Sequence, residues 1–307
     1  MSRILAAILL SLLPVGAGPG RAPALGTLEE QASYRAEIAA WRATREKQLL
    51  SDQGWFTVVG LFWLKEGRNS FGADPANDIV LPAGAAPLRA GSFVLEKGSI
   101  SVEFGANAEG TVNGKSVGSA VLASDVSGTP DVVSVGAGRL NMTIIKRGER
   151  IGVRLRDRQA SARLEAARTG LRYFPVDPAW RVEAQFVRDP QTVEIVNVLG
   201  QLQLYSSPGH VRFEVAGREV RLYPVLESED ASELFFIFRD ETSGRETYGG
   251  GRFLYTELPG DGRVILDFNK AENPPCAYTD FATCPLPPAR NRVRARVEAG
   301  EMTYRKH

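Results

Sequence analysis

Short runs of alternating apolar and polar residues recur along the sequence and constrain its fold more than any other feature. Examples lie at residues 151–155, 180–186, 193–198 and 211–215. Successive side chains of a β-strand point to opposite faces, so this period of two predicts strands with one buried face. The 31 glycines and 18 prolines supply turns between such runs. The sequence therefore predicts a mainly β fold.

The first residues have the pattern of a secretory signal peptide. Arg3 gives a short positive region, residues 4–15 form an apolar run, and small residues follow at Gly16-Ala17-Gly18 and Ala22-Pro23-Ala24. We expect residues 1–24 to be removed and the protein to be exported, periplasmic or secreted. A buried N-terminal helix is the alternative. The run is too short to span a bilayer comfortably and no later segment is apolar enough, so no membrane span is expected.

Residues 27–50 predict an amphipathic helix. Thr27 and Glu30 have the spacing of a capping box, in which the hydroxyl accepts from an early amide and the carboxylate reaches back. Tyr34, Ile38 and Trp41 fall on one face of this helix, and its other face is charged. Such a helix usually packs against its own protein, and binding of a partner is the alternative.

Residues 51–165 resemble a forkhead-associated β-sandwich. The matching pieces are Phe71-Gly72, residues 77–81 and residues 110–115. That family binds phosphothreonine peptides through an Arg after the first Gly and through a Ser-x-x-His motif. Here Ala73 replaces the Arg, and residues 87–92 contain no His. A phosphate would lack its charge-assisted contacts, so phosphopeptide binding is disfavoured.

The remainder of the chain predicts a linker and a second β domain. Residues 166–178 end in a proline-containing stretch that reads as the linker. Residues 179–307 continue with a hairpin around residues 211–223 and an apolar run, residues 234–238, that predicts a central buried strand. The full prediction is an N-terminal helix, a forkhead-associated-like sandwich and a second, barrel-like antiparallel β domain.

One irregular stretch, residues 267–288, holds both cysteines and five of the eighteen prolines. With other segments it resembles DUF1684, a bacterial and archaeal family of unknown function. The resemblance extends from Trp41 to about Glu301, and Glu272 stands where the family pattern has Tyr. It implies no particular reaction. The segments that carry it are Ser51-Asp52-x-Gly54-Trp55, residues 60–64, Phe71-Gly72, Asn77-Asp78, residues 249–255 and residues 267–288.

Polar residues in and before this stretch are the candidate ligand-binding residues. Arg252 offers a planar fork for a carboxylate or phosphate, and Asp267 can orient that fork or act as a general base. The alternative is a structural network in which Asp267 and Arg252 form a buried ion pair and the asparagines hold turns. The candidates are Asp240, Tyr248, Arg252, Asp267, Asn269, Lys270 and Asn273.

Cys276 and Cys284 lie in the same stretch and predict a disulfide in an exported protein. Metal binding is disfavoured because the spacing is not CxxC and no nearby His completes a site. No cofactor fingerprint and no GxSxG elbow is present, so whether the protein is an enzyme stays open.

Two functions remain from these observations. The first is a non-catalytic envelope binding or interaction module. The second is a small-molecule-binding protein or enzyme with an anionic-ligand pocket around Arg252 and Asp267. The partner is accordingly an envelope protein or a small anionic ligand. The formal net charge of +1 gives no reason to expect nucleic acid.

Overall fold

The computed structural model describes residues 27–215 and 217–304. The predicted signal peptide, residues 1–24, lies outside the described residues. Within them, no helix combines the length and apolar character needed to cross a membrane.

The chain begins with helix α1, Leu28–Leu50. Thr27 caps it, and the predicted capping box is present: the Glu30 amide donates to the Thr27 hydroxyl and the Thr27 amide donates to the Glu30 carboxylate. Tyr34, Ile38 and Leu49 are the buried residues of α1, whereas Trp41 is partly exposed. One face of the helix therefore packs against the body of the protein.

A β-sandwich follows, built from two sheets. Its six-stranded sheet has the order β1-β11-β10-β9-β6-β7, and its five-stranded sheet has the order β3-β2-β4-β5-β8. Phe71 and Phe93 pack between them with Val153 and Leu155. The strands are β1 Val58–Trp63, β2 Gly67–Gly72, β3 Ile79–Val80, β4 Gly91–Glu96, β5 Ser99–Phe104, β6 Thr111–Val112, β7 Lys115–Ser116, β8 Ser119–Val121, β9 Val132–Val135, β10 Leu140–Arg147 and β11 Arg150–Asp157.

A second helix, α2 Ser161–Thr169, begins in the segment predicted as the end of the sandwich and covers the first four residues of the predicted linker, residues 166–178. It lies next to the end of α1, where Leu49, Phe56, Ala166 and Tyr278 form a small buried cluster. The chain between the two β units is therefore packed against the body over at least part of its length.

The second unit contains a four-stranded sheet, β14-β13-β12-β17, and a two-stranded sheet, β15-β16. Both are antiparallel, and in the described residues they stay open rather than closing into a cylinder. The apolar run at 234–238 is a buried strand, as predicted, but it belongs to the two-stranded sheet and is not a central strand. The strands are β12 Arg181–Val196, β13 Leu202–Val215, β14 Arg218–Leu222, β15 Glu233–Phe238, β16 Arg252–Glu257 and β17 Arg263–Asp267.

After β17 the chain is irregular and connects the two β units. The Thr279 hydroxyl donates to the Val58 carbonyl at 3.0 Å, and Arg147 Nε donates to the Thr283 hydroxyl at 3.0 Å. An isolated bridge pairs Asn197 with Pro285. The stretch 279–285 therefore lies between the outer face of the six-stranded sheet and the β12–β13 hairpin.

Candidate functional site

Arg252, the central residue of the predicted ligand pocket, is completely buried and already paired. Its Nη1 lies 2.9 Å from Asp240 Oδ2 and 3.0 Å from the Val297 carbonyl oxygen, and its Nη2 donates to the Ala299 carbonyl. The expected Asp267–Arg252 ion pair is wrong: Asp240 is the partner. The Arg252 side chain exposes no surface, and both of its terminal nitrogens are hydrogen-bonded within the described residues, so we infer a structural role for it.

A glycine makes the contact between Arg252 and the C-terminal segment possible. Gly300 has a φ of 76°, and a Cβ at this position would lie 2.2 Å from the Ala271 carbonyl oxygen and 2.9 Å from Arg252 Nη2. Only a residue without a side chain fits there, so the backbone can bring the Ala299 carbonyl onto the guanidinium.

Asp267 belongs to a second network, at the base of helix α1. Its Oδ1 accepts from the Tyr34 hydroxyl at 2.7 Å and from the Asn269 amide at 3.1 Å. Asn269 Nδ2 donates to the Tyr34 oxygen at 2.9 Å and to the Asp177 carbonyl at 2.8 Å. Burial outweighs these bonds and raises the pKa of Asp267. This network fastens the helix to the end of β17.

Asn273 belongs to a third network, around Glu301. Glu301 Oε2 accepts from the Asn273 amide at 2.8 Å and from the Tyr278 hydroxyl at 2.5 Å. Arg45 Nε lies 3.1 Å from Glu301 Oε1 and 3.2 Å from Glu272 Oε2. One arginine is thus shared by two carboxylates, and the group of three has a net negative charge when both carboxylates are ionised.

Tyr248 and Lys270 lie apart from these networks. The Tyr248 hydroxyl donates to the Cys276 carbonyl at 3.2 Å, and Lys270 Nζ pairs with Glu37 on helix α1 at 2.6 Å. The seven predicted residues therefore lie in several separate networks and do not line one common pocket. Asp267 and Lys270 do line a cleft of about 1050 Å³. Seven of the ten charged residues that line it are acidic, and two of its three basic residues, Lys270 and Arg263, are paired with Glu37 and Glu183.

Both cysteines are free thiols in the structure. The Cys276 amide donates to Cys284 Sγ at 3.2 Å, and the two thiols are hydrogen-bonded to each other. This contact lowers the pKa of Cys276 and raises that of Cys284. Cys276 is partly exposed, whereas Cys284 is buried.

A different cavity has the character of a ligand site. It has a volume of about 430 Å³. It lies where the sandwich, the segment that contains Trp55 and the second β unit meet. We call it the junction cavity and define it by Trp55, Arg154, Tyr205, Glu227, Tyr255 and Glu272. Three arginines line it: Arg45, Arg147 and Arg154.

Arg154 is the residue that distinguishes the junction cavity. It lies in β11 between the core residues Val153 and Leu155, so its side chain points to the opposite, outer face of the sheet. Only 6% of it is exposed, and its Nε and Nη2 have no hydrogen-bond partner among the described residues. The guanidinium carbon lies 4.9 Å from the centre of the Trp55 ring. Arg154 is therefore a buried, positively charged side chain, and two of its guanidinium nitrogens have no hydrogen-bond acceptor among the described residues.

The other two arginines are occupied. Arg147 Nη1 pairs with Asp125 at 2.7 Å, and Arg45 is shared between Glu272 and Glu301. Burial, together with the charges of Arg156 and Arg147, lowers the pKa of Arg154 to about 10. It therefore stays protonated at neutral pH, and it forms no ion pair with a carboxylate of the described residues.

Two carboxylates at the cavity also titrate abnormally. Burial raises the pKa of Glu272 to about 7, and the negative charges of Glu301 and Glu227 add to this effect against the charge of Arg45. Partial desolvation and the nearby Glu233 raise the pKa of Glu227, whose side chain stays exposed. Such shifted groups collect at functional sites, although structural networks produce them too.

Sequence reasoning missed the residues that define the junction cavity. A single arginine between alternating apolar residues has the pattern of a solvent-facing position, so nothing local distinguishes Arg154. Its burial depends on the stretch 279–285, which contacts Arg147 over a separation of 136 residues. The departure of Glu272 from the family pattern was the one signal in the sequence that pointed here.

Comparison with known proteins identifies the family to which the chain belongs. A family model described as "Protein of unknown function (DUF1684)" matches residues 166–302. A solution NMR structure of the uncharacterized protein from gene locus rrnAC0354 of Haloarcula marismortui is 35% identical, over 47% of this chain and 81% of that chain, with a TM-score of 0.40. The chain belongs to the DUF1684 family. The segment of this DUF1684 protein matched by the family model contains Glu227 and Glu272, and Arg154 precedes it.

A second solved structure comes from work titled "Structural and functional analysis of phosphothreonine-dependent FHA domain interactions". It is 19% identical over 31% of this DUF1684 chain and 92% of that chain, with a TM-score of 0.22. None of the curated proteins compared with the chain matches it.

Proposed function

We propose that this DUF1684 protein binds a small molecule that carries an anionic group, a carboxylate or a phosphate, in the junction cavity. Arg154 is the anchor. The observation that supports this proposal is the unpartnered donor fork of a guanidinium that is 6% exposed and lines a cavity.

The electrostatics of the cavity favour an anion at this point. An unpaired buried charge is costly for a folded protein, and proteins normally pair it or hydrogen-bond it. The charge of Asp125 acts on Arg154, but Asp125 is already bonded to Arg147. A carboxylate or phosphate from a ligand would satisfy two donors of the planar fork at once.

The size and walls of the cavity fit a small molecule. Its volume of about 430 Å³ lies in the range of known ligand pockets. Trp55, Phe235, Phe253, Tyr205 and Tyr255 supply aromatic surface, and the cavity combines it with a larger polar surface. The proposed pocket replaces the one expected around Arg252 and Asp267.

The test is a thermal-shift panel of small carboxylates, phosphates and neutral analogues on the wild type, Arg154→Met and Arg168→Met. Met removes the charge of Arg154 but keeps a flexible side chain against Trp55. Arg168 is an exposed residue of α2 and serves as the matched control. We expect an anion to raise the Tm of the wild type and of Arg168→Met, and not that of Arg154→Met. An equal response of Arg154→Met, or no response of the wild type to any anion, would overturn the proposal.

A second candidate function, the non-catalytic envelope interaction module, has one observation in its favour. The β12–β13 hairpin carries an exposed apolar face of Val196, Leu202 and Leu204, continued at its tip by Val198 and Leu199. Leu202 and Leu204 are 56% and 67% exposed. A contiguous apolar face of this kind is typical of a contact with another protein. Loss of a specific co-purifying envelope protein on Leu202→Ser with Leu204→Ser, but not on Val121→Ser in the sandwich, would support it.

We further propose that the protein is exported after removal of residues 1–24 and that its two thiols form a disulfide in an oxidising compartment. The signal-peptide pattern of the sequence supports the first point, and the contact between Cys276 and Cys284 supports the second. Cell fractionation and the intact mass of the mature chain test both. Full-length protein retained in the cytoplasm would contradict export.

A further inference from the structure

The junction cavity has a basic and an acidic end. Arg154 and Arg147 form the basic end, beside Cys284. Glu227 and Glu272 form the acidic end, where the charges of both act on the hydroxyl of Tyr255. The two ends belong to different parts of the chain, since the arginines come from the sandwich and the carboxylates from the second β unit.

Tyr205 lies between the two ends. Burial raises the pKa of Tyr205, the negative charge of Glu227 adds to this effect and the positive charge of Arg147 opposes it, so this side chain is near both. The hydroxyl of Tyr205 donates to Gln203, which also lines the cavity. The basic and the acidic groups therefore line one cavity, and Tyr205 is close enough to be affected by the charges of both.

The acidic end carries an unneutralised negative charge. Glu227 is exposed at the edge of the cavity and has no ion pair and no hydrogen bond with the described residues, and its neighbour Glu233 adds a further negative charge. Glu272 shares its one partner, Arg45, with Glu301. A cation placed here would relieve the repulsion that acts on both Glu227 and Glu272.

Aromatic rings complete the acidic end. Phe235 and Tyr255 are stacked with centroids 4.7 Å apart and planes at 7°, and Phe253 meets Phe235 edge-on at 4.8 Å. Aromatic faces attract ammonium groups through their negative quadrupole. Carboxylates and ring faces together are thus suited to an alkylammonium group.

We propose that the ligand of the junction cavity is an aminocarboxylate, a small zwitterion whose carboxylate binds Arg154 and whose ammonium group binds at Glu227 beside Phe235 and Tyr255. This inference rests on the proposed function and specifies the ligand class. Amino acids, their ω-amino isomers and short peptides share this chemistry. The distance between the two charged groups selects among them.

Two isomers separate the ligand charges by different distances and provide the test. Leucine and 6-aminohexanoate have the same composition, and each has a matched acid without the amine (4-methylpentanoate, hexanoate) and a matched amine without the acid (3-methylbutylamine, hexylamine). Calorimetric titration of the mature chain measures Kd for all six. We expect one aminocarboxylate to bind about tenfold or more tightly than its matched acid, the increment of one charge-assisted hydrogen bond.

Three variants test which protein residue binds the amine of the ligand and which binds its acid group. Glu227→Gln should remove most of the gain from the amine while leaving binding of the matched acid unchanged. Glu229→Gln, an exposed neighbour that does not line the cavity, should keep the full gain. Arg154→Met should abolish binding of both acid and aminocarboxylate.

The outcomes separate this inference from the proposed function. If the acids bind as tightly as their aminocarboxylates, or if Glu227→Gln keeps the full gain, the zwitterion assignment is wrong and the anion site stands. If neither the acids nor the aminocarboxylates bind the wild type, the zwitterion assignment is overturned. If, in addition, no carboxylate or phosphate of the thermal-shift panel stabilises the wild type, the proposed anion site is also wrong.

Discussion

Arg252 Nη1 and Asp240 Oδ2 lie 2.9 Å apart, and neither side chain exposes any surface. The pairing of β15 with β16 sets Phe238 opposite Arg252, which brings the turn that follows Phe238, with Asp240 in it, next to the guanidinium. Arg252 also bonds the carbonyls of Val297 and Ala299. This ion pair therefore joins the β15–β16 hairpin to the C-terminal segment.

Removing one partner of this pair should be strongly destabilising. Asp240→Ala leaves Arg252 buried without a countercharge, and we expect a loss of about 3–5 kcal/mol in the free energy of unfolding. Denaturant unfolding measures it. Arg296→Ala, which breaks only exposed pairs with Glu246 and Glu298, should cost no more than about 1 kcal/mol. Wild-type stability of Asp240→Ala would refute a structural role for the pair.

The network around Asp267 predicts a smaller effect. Tyr34→Phe removes the hydroxyl that bonds both Asp267 Oδ1 and Asn269 Nδ2, so two buried polar groups lose a partner. We expect a loss of about 1–3 kcal/mol. Asp267→Asn keeps an acceptor oxygen for Tyr34 and removes a charge whose burial raises its pKa, so this variant should be nearly neutral. If Asp267→Asn costs as much as Tyr34→Phe, the ionised carboxylate is needed and this account of the network fails.

Glu272 predicts a dependence of stability on pH. Its pKa is 4.5 in the unfolded chain and about 7 in the folded protein, so between these values the folded state binds more protons. Its contribution to stability is therefore fully present below about pH 4.5 and is lost as the pH rises through about 7. The shift corresponds to about 3 kcal/mol.

The comparison of wild type with Glu272→Gln isolates this contribution. The wild type should lose about 3 kcal/mol relative to Glu272→Gln as the pH rises from about 4 to about 8. Glu165→Gln, at an exposed position of α2, serves as control and should follow the wild type at every pH. A difference between wild type and Glu272→Gln that does not change with pH would show that Glu272 is not held in this environment.

The parts of the structure that depend on neighbouring residues could be predicted from the sequence, and those that depend on distant contacts could not. Thr27 and Glu30 form their capping box within one helical turn, and Val153 and Leu155 face the core because a strand alternates. The partner of Arg252 depended on the register of β15 with β16, which no local pattern fixes. Arg154 became part of a site only because a distant stretch covers it.

The two cysteines predict a stepwise oxidation. The bond from the Cys284 thiol lowers the pKa of Cys276, which is also the more exposed of the two, so Cys276 supplies the attacking thiolate. With oxidised glutathione, Cys276 should form a mixed disulfide and release one glutathione thiolate. Cys284 then loses its proton, attacks the Cys276 sulfur and displaces the second glutathione.

Intact mass spectrometry distinguishes the two steps through single variants. The wild type should lose two hydrogens, Cys284→Ser should stop at the glutathione adduct, and Cys276→Ser should stay unmodified. Closing so short a loop should also stabilise the folded wild type by about 2–3 kcal/mol. Since Cys284 lines the junction cavity, oxidation is expected to alter its wall. If the wild type instead keeps two free thiols after prolonged exposure, their contact does not lead to a disulfide and the oxidised form proposed for the exported protein is wrong.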